Sequence, residues 1–164
     1  YAIVRPTVIF GTEDILINNI TYFLRKYPVF VVPGSGNYGI QPIYVEDFAE
    51  MLADLSQCGE NITTDAVGPE KFTFNELLDL IKDRVRRKTM IVHLNPALAL
   101  KLVGFLGATV NDVVLTKNEI AGLMDNLLVS HDAPKGHTRL SEWLSQNADS
   151  VGREYHSEVA RHFR

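Results

Sequence analysis

A glycine-rich segment near the start of the chain has the residue types and spacing of a dinucleotide-binding loop. Gly34-Ser-Gly36-Asn-Tyr-Gly39 matches the G-x-G-x-x-G pattern and follows an apolar run. In dinucleotide sites such a loop opens a helix whose N-terminus faces the pyrophosphate. Here Ile40-Gln-Pro42 follows, and the proline favours extended chain over helix. The spacing therefore predicts a glycine-rich connection between two strands, without a helix dipole for a phosphate.

Metal chemistry is not indicated by the five histidines of the chain. Histidines that bind one metal from a single helix are usually four residues apart, on one face. The sequence has no H-x-x-x-H spacing, and its single cysteine, Cys58, completes no Cys/His cluster. We expect no metal site. One cysteine also excludes an internal disulfide and fits a reducing compartment.

Composition and charge exclude several other classes of protein. A chain of 164 residues with 46% hydrophobic and 22% charged residues is typical of one folded domain. Its net charge of −4 argues against a nucleic-acid partner. The longest apolar stretch, residues 96–110, is shorter than the roughly 20 residues that a bilayer requires. The cations of Arg84–Lys88 leave a peripheral membrane contact as the less favoured alternative to a cytoplasmic location.

The first eleven residues predict the strand that organises the chain. Ala2–Val4 and Val8–Phe10 are apolar and rich in β-branched residues, which is typical of a short strand buried on both faces. Pro6 lacks a backbone donor, so pairing should lapse there. Two interpretations follow from the residues alone. The lapse marks either an edge strand with a bulge or a main-chain edge that faces a ligand.

The rest of the chain alternates helical and extended patterns. Acidic residues follow the first strand and again open a helix at Glu46, while two Thr-x-x-Glu capping boxes and one Asn-Pro pair mark later helix starts. The pattern predicts strands at 29–32, 40–45, 61–67 and 89–94. It predicts helices that begin near Thr12, Glu46, Thr73, Asn95, Thr116 and Leu140, and a last helix with an apolar stripe of Val151, Tyr155, Val159 and Phe163.

Three segments resemble a known family. Arg5–Gly11 is similar to the RPxxxFG segment of the extended and atypical short-chain dehydrogenase/reductases, the NAD-dependent epimerase/dehydratase group. Gln41–Asp47 and Phe72–Leu78 continue the match, which includes NmrA-like members and members like the accessory subunit of respiratory complex I. The resemblance implies an α/β fold: the C-terminal part of a Rossmann-type sheet plus a small substrate-side α/β lobe. It implies a single fragment in which 1–70 end the Rossmann core with an inserted strand-loop-strand, and 71–164 form a mostly helical lobe.

The resemblance also implies site residues and a cofactor. The strand around Pro6 would meet the nicotinamide of NAD or NADP, and the following turn would face an unknown small-molecule substrate. The implied cofactor-binding residues are Pro6, Thr7 and Val8, and the implied substrate-binding residues are Gly11, Thr12, Gln41 and Tyr44. Tyr44 stands where many sugar epimerases carry histidine, which weakens a nucleotide-sugar assignment.

Two functions follow from the resemblance. The first is the C-terminal portion of an NAD(P)-dependent oxidoreductase or epimerase that acts by hydride transfer. The alternative is a non-catalytic nucleotide-sensing or complex-assembly protein. In the family, the glycine-rich cofactor loop and the catalytic Tyr-x-x-x-Lys pair precede the opening strand, so we expect this chain to lack both and to be non-catalytic alone. Without the preceding half of the sheet, the opening strand would expose an edge that can pair with another copy, which predicts a homo-oligomer.

Overall fold

The computed structural model of the chain describes residues 1–110, 112 and 116–157. The strands are β1 Ala2–Pro6, β2 Val8–Phe10, β3 Val29–Pro33, β4 Gly39–Ile40, β5 Pro42–Tyr44, β6 Ile62–Ala66, β7 Phe72–Thr73 and β8 Met90–Leu94. The helices are α1 Leu16–Lys26, α2 Val45–Ser56, α3 Phe74–Arg84, α4 Pro96–Val110, α5 Lys117–Met124 and α6 Leu140–Asn147. Each predicted strand region is present, within a few residues of its expected bounds.

The described strands form four pairs. β1 with β6, β2 with β5, and β3 with β8 are parallel, whereas β4 and β7 are antiparallel. Parallel strands need crossover connections, and α1 and α2 supply two of them here. This mixture of parallel strands and crossover helices confirms the predicted α/β class.

The opening segment is two strands rather than one. β1 pairs with β6 as far as Pro6, which lies opposite Ala66, and pairing resumes at Val8 opposite Pro42. The predicted lapse at Pro6 therefore coincides with a change of partner. The prediction of burial on both faces is met only in part by β2, where Val8 and Phe10 are buried on one face and Ile9 is half-buried on the other. It is wrong for β1, where Ile3 is 49% exposed. α2 contacts β1, but it leaves most β1 side chains open to solvent.

α1 begins later than the sequence predicts. The helix starts at Leu16 rather than at Thr12, because the Asp14 carboxylate accepts hydrogen bonds from the backbone amides of Ile17 at 2.6 Å and Asn18 at 3.4 Å. An acidic acceptor at this place satisfies amides that have no partner within the helix. The carboxylate therefore caps the helix from just outside it.

The helix starts of the second half are as predicted. In α3, Thr73 and Glu76 form a capping box, with the Thr73 amide 2.7 Å from the Glu76 carboxylate. Thr116 and Glu119 form the same box before α5, at 2.6 Å. Asn95 precedes Pro96 and accepts the Ala97 amide at 2.9 Å. Within the described residues, no helix combines the length and the apolarity of a membrane span.

The core lies where α1, α3 and α6 meet the buried ends of β2 and β3. α3 contributes Leu77, Leu78 and Ile81, all of them fully buried. Phe10 packs edge-on against Trp143 of α6 with ring centroids 5.6 Å apart. Burial of such side chains is the main favourable term for folding. It brings the opening strands and the later helices into one core.

The last described segment is not the predicted helix. Residues 151–157 form turns and irregular chain, with Gly152 at φ +64°. The Gly152 amide donates to Asn18 at 3.1 Å, and Asn19 exchanges two hydrogen bonds of 2.8 Å with the backbone of His156. These long-range partners replace the helical hydrogen bonds that the apolar spacing predicted. Val159 and Phe163 lie outside the described residues.

Candidate functional site

The glycine-rich segment 33–39 is the strand connection that its spacing predicted. It joins β3 to β4, and no helix follows its last glycine. Asn75, at the start of α3, binds the loop twice. Its side-chain amide donates to the backbone carbonyl of Ser35 at 3.0 Å, and its backbone amide donates to the backbone carbonyl of Gly36 at 3.1 Å. Because β4 and not a helix follows the loop, the segment lacks the helix N-terminus that favours a pyrophosphate.

A cavity of about 870 Å³ opens beside this loop, at the end of β2. Its walls come from the end of β2, the start and inner face of α1, β3, α4 and α5. Apolar side chains predominate, among them Phe10, Ile20, Phe23, Phe30, Val103 and Leu123. A concave, mainly apolar space of this size is the usual form of a small-molecule site.

Four of the seven predicted site residues lie on the cavity wall. Thr7, Val8, Gly11 and Thr12 follow one another along the end of the split strand. The Thr7 hydroxyl donates to the backbone carbonyl of Gln41, at the position where pairing passes from β1 to β2. The change of strand partner thus places this backbone at the cavity. Pro6, Gln41 and Tyr44 are not among the described lining residues.

Gln41 is hydrogen-bonded to two other segments of the chain and is not among the described lining residues. Its side chain is fully buried, its Nε2 donates to the carbonyl of Gly68 at 2.9 Å, and its Oε1 accepts the Ser130 amide at 3.2 Å. Both polar atoms are therefore engaged with the protein, which does not favour the predicted substrate contact. Tyr44 packs against Phe10 with ring centroids 5.4 Å apart and precedes α2.

Two cavity residues escaped the sequence analysis as site residues. Burial raises the pKa of the Asp14 carboxyl, and the hydrogen bonds from Ile17, Gly11 and Asn18 oppose this shift only in part. Tyr38 is 5% exposed, and its hydroxyl has no hydrogen-bond partner in the described structure. Burial raises the pKa of this phenol well above its ordinary value. No signal in the sequence indicated that Tyr38, a tyrosine inside a glycine-rich loop, would be buried or that its hydroxyl would lack a partner among the described residues.

A Tyr-x-x-x-Lys spacing is present in α1, which corrects the expectation that the chain lacks one. Tyr22 and Lys26 are one helical turn apart, and the Lys26 ammonium donates to the Tyr22 hydroxyl at 2.5 Å. This hydrogen bond raises the pKa of Lys26. Neither residue is among the described lining residues of the cavity. The pair therefore does not face the predicted nicotinamide position.

Two solved structures are similar to the chain in fold. UDP-glucuronic acid 4-epimerase from Bacillus cereus in complex with NAD aligns with a TM-score of 0.56 and 13% identity, over 94% of this chain and 45% of that one. UDP-N-acetylglucosamine 4-epimerase from Methanobrevibacter ruminantium M1 aligns with a TM-score of 0.55 and 17% identity, over 92% and 45%. These alignments confirm the fold of a Rossmann-type epimerase. NAD is bound in the first of these neighbours, as the resemblance implied.

Two relatives indicate which members of the family the chain resembles in sequence. NADH dehydrogenase [ubiquinone] 1 alpha subcomplex subunit 9, mitochondrial, of Arabidopsis thaliana is 31% identical over 144 residues, covering 81% of this chain and 36% of that protein. The protein of the same name from Dictyostelium discoideum is 35% identical over 83 residues, covering 49% and 23%. The chain thus spans about a third, or less, of these relatives. No family model matches it. The predicted resemblance to atypical dehydrogenase/reductases of the complex I accessory type is confirmed.

Proposed function

We propose that the chain is the substrate-side part of an NAD(P)-binding protein that serves as a non-catalytic accessory subunit of a mitochondrial NADH dehydrogenase. The observation that supports this most strongly is the 31% identity over 144 residues with the Arabidopsis subunit. The relative is named as mitochondrial, so we prefer that compartment to the cytoplasmic one predicted from the sequence.

The proposed cofactor contact is the split strand. The backbone of Pro6, Thr7 and Val8 would hold the nicotinamide edge where β1 ends and β2 begins. Two observations support this: Thr7 and Val8 line the cavity, and the B. cereus neighbour of the same fold holds NAD. We propose Gly11 and Thr12 as substrate-facing residues, with Gln41 and Tyr44 behind them.

The predicted division at residue 70 remains part of the proposal. In it, residues 1–70 complete a nucleotide-binding core and residues 71–164 cover the substrate side. β3 and β8 lie on opposite sides of that boundary and pair with each other. We therefore expect the two parts to unfold together, which a single cooperative transition in urea would support.

Co-migration tests the proposed subunit role. The full-length protein that contains this chain is expressed with an epitope tag, and mitochondrial membranes are solubilised and separated on a native gel. We expect the tag to migrate with NADH dehydrogenase activity, and titration of the purified protein with NADH and with NADPH to show saturable binding of at least one of them. Migration as a small free species, with binding of neither nucleotide, would contradict the proposal.

Hydride transfer by the full-length protein is a second candidate function. It is favoured by the position of the cavity directly beside Thr7 and Val8. Reduction of a carbonyl compound with deuterated NADPH, followed by mass spectrometry of the product, tests it. Tyr22→Phe serves as a control, because Tyr22 is not among the described cavity residues and its loss should leave turnover unchanged.

The predicted homo-oligomer concerns the 164-residue chain alone. Among the described strands β1 pairs only with β6, so its other edge is unpaired, and an unpaired edge invites pairing with another copy. Light scattering at micromolar concentration should give a mass at least twice that of one chain. A stable monomer would remove this part of the proposal.

A further inference from the structure

The charges around the cavity do not suit the ligands of the epimerases that share its fold. A nucleotide sugar carries a diphosphate, which proteins usually bind with Lys, Arg or a helix N-terminus. None of the described lining residues is Lys or Arg, while Glu13, Asp14 and Glu119 are acidic. An anionic diphosphate would therefore be repelled. The apolar majority of the wall favours a neutral molecule with a large apolar surface.

Several polar side chains on the wall are already engaged with the protein. Asn19 exchanges two hydrogen bonds with the backbone of His156. Glu119 completes the capping box of α5, and the Asp14 carboxylate caps α1. These side chains are poorly placed to bind a ligand as well, because giving up their present hydrogen bonds would destabilise the helix ends and the segment that they hold.

Tyr38 differs from these residues. It lines the cavity and is 5% exposed, yet its hydroxyl has no hydrogen-bond partner in the described structure. Buried hydroxyl groups in folded proteins are nearly always paired, and leaving one unpaired is unfavourable. The ring packs against Phe74 with centroids 5.4 Å apart. An acceptor atom on a bound molecule would supply the missing partner.

We infer that the cavity binds a neutral, mainly apolar molecule whose carbonyl oxygen accepts a hydrogen bond from the Tyr38 hydroxyl. The inference rests on the proposed function for the position of the cofactor beside the carbonyl, and it adds the chemical class of the ligand. Water does not reach the hydroxyl in this structure, so binding requires a small shift of the ring. The cavity volume of about 870 Å³ is ample for a drug-sized molecule.

Two matched ligands and two matched variants test the inference. The ligands are 4-phenyl-2-butanone and butylbenzene, which differ mainly in the carbonyl group. The variants are Tyr38→Phe and Tyr27→Phe, each of which removes the hydroxyl of one tyrosine that lines the cavity. Binding is measured by ligand-observed NMR and by isothermal titration, and thermal unfolding verifies that each variant is folded.

We expect the ketone to bind the wild-type protein about three- to tenfold more tightly than butylbenzene, as one net hydrogen bond would give. Tyr38→Phe should remove this difference by weakening the ketone alone, and Tyr27→Phe should preserve it. Gly122→Phe should weaken both ligands, because a side chain at this helical position meets only Leu127 and extends into the cavity.

Several outcomes would overturn the inference: no binding of either ligand, equal affinity of the wild-type protein for both, unchanged ketone affinity in Tyr38→Phe, or tighter binding of UDP-glucose than of the ketone. The comparison of the two ligands on the wild-type protein decides the matter even if Tyr38→Phe does not fold. Loss of ketone binding with intact nucleotide binding and co-migration would remove this inference alone. Loss of co-migration with intact ketone binding would remove the proposed function alone.

Discussion

Asp47 accepts hydrogen bonds from both the backbone amide and the hydroxyl of Thr138, at 2.7 and 2.9 Å. The carboxylate belongs to the first turn of α2, and its side chain is only 5% exposed. It also accepts the backbone amide of His137 at 2.8 Å. One buried carboxylate thus attaches the loop before α6 to α2, the helix that contacts β1.

Asp47→Asn should destabilise the protein by about 2 kcal/mol, because a buried charged acceptor is replaced by a group that can accept at only one atom. Burial raises the pKa of Asp47, but the hydrogen bonds from Thr138 and His137 outweigh burial and hold it below its ordinary value. A lowered folded-state pKa gives stability that is complete above the unfolded value of about 4 and is lost as pH falls through the folded pKa. Urea unfolding at several pH values should show the two proteins converging below about pH 4.

Glu50→Gln is the matched control for Asp47→Asn. Glu50 lies on the same helix, its side chain is 72% exposed, and its carboxylate is 3.9 Å from Nε2 of the exposed His137 ring. Because an ion pair in solvent contributes little, its substitution should change the free energy of unfolding by less than about 1 kcal/mol. An equal loss of stability in both variants would contradict the anchoring role of Asp47.

Asp14→Asn should have the opposite pH dependence. Burial raises the pKa of the Asp14 carboxyl, so the folded state holds the proton more tightly than the unfolded state does. Stability then falls as pH rises from about 4 through the raised folded pKa. Asn retains an acceptor for the Ile17 amide and carries no charge. We expect wild type and variant to be alike near pH 4 and the variant to be the more stable at pH 7.

The pH series for Asp14 uses Glu60→Gln as its control. Glu60 is a solvent-exposed carboxylate between α2 and β6, and its variant should follow the wild-type curve in parallel. If the wild type instead becomes more stable than Asp14→Asn as pH rises from about 4 to 7, the folded protein favours the Asp14 anion and the expectation is wrong.

The capping boxes of α3 and α5 could be predicted from the sequence because each is complete within four residues. The split of the opening strand could not. Whether Ala2 and Val8 share a partner depends on residues 62 and 42, which are distant in the chain. Pro6 indicated where pairing would lapse, but not that a second strand would take over there.

The candidate site was only partly predictable for the same reason. Thr7 and Gly11 reach the cavity through the local strand that the motif describes. The engagement of Gln41 depends on Ser130, which is 89 residues away. Tyr38 belongs to a loop whose composition indicates only a turn, and its unpartnered hydroxyl becomes visible only when α3 packs against it.

Gly68→Ala should destabilise the protein by about 3 kcal/mol or more. A Cβ at this position would collide with the carbonyl oxygen of Pro42 and lie 3.3 Å from the Cα of Ile43. Backbone atoms of a paired strand cannot move aside cheaply, so β5 would shift away from β2. The midpoint of urea unfolding measures the effect. Gly59→Ala is the control, since a Cβ there meets nothing within 4 Å, and a similar loss in both variants would contradict the close approach.

Gln41→Leu distinguishes a structural role from a substrate contact. The substitution keeps the volume but leaves the Ser130 amide and the Gly68 carbonyl without their partner, at a cost of about 2–4 kcal/mol in the free energy of unfolding. Gln146→Leu, on the exposed face of α6, should change stability by less than about 0.5 kcal/mol. If Gln41 instead contacts a substrate, Gln41→Leu will unfold at the wild-type urea midpoint and weaken ketone binding. Equilibrium unfolding and the ketone titration, made on the same preparation, therefore separate the two roles.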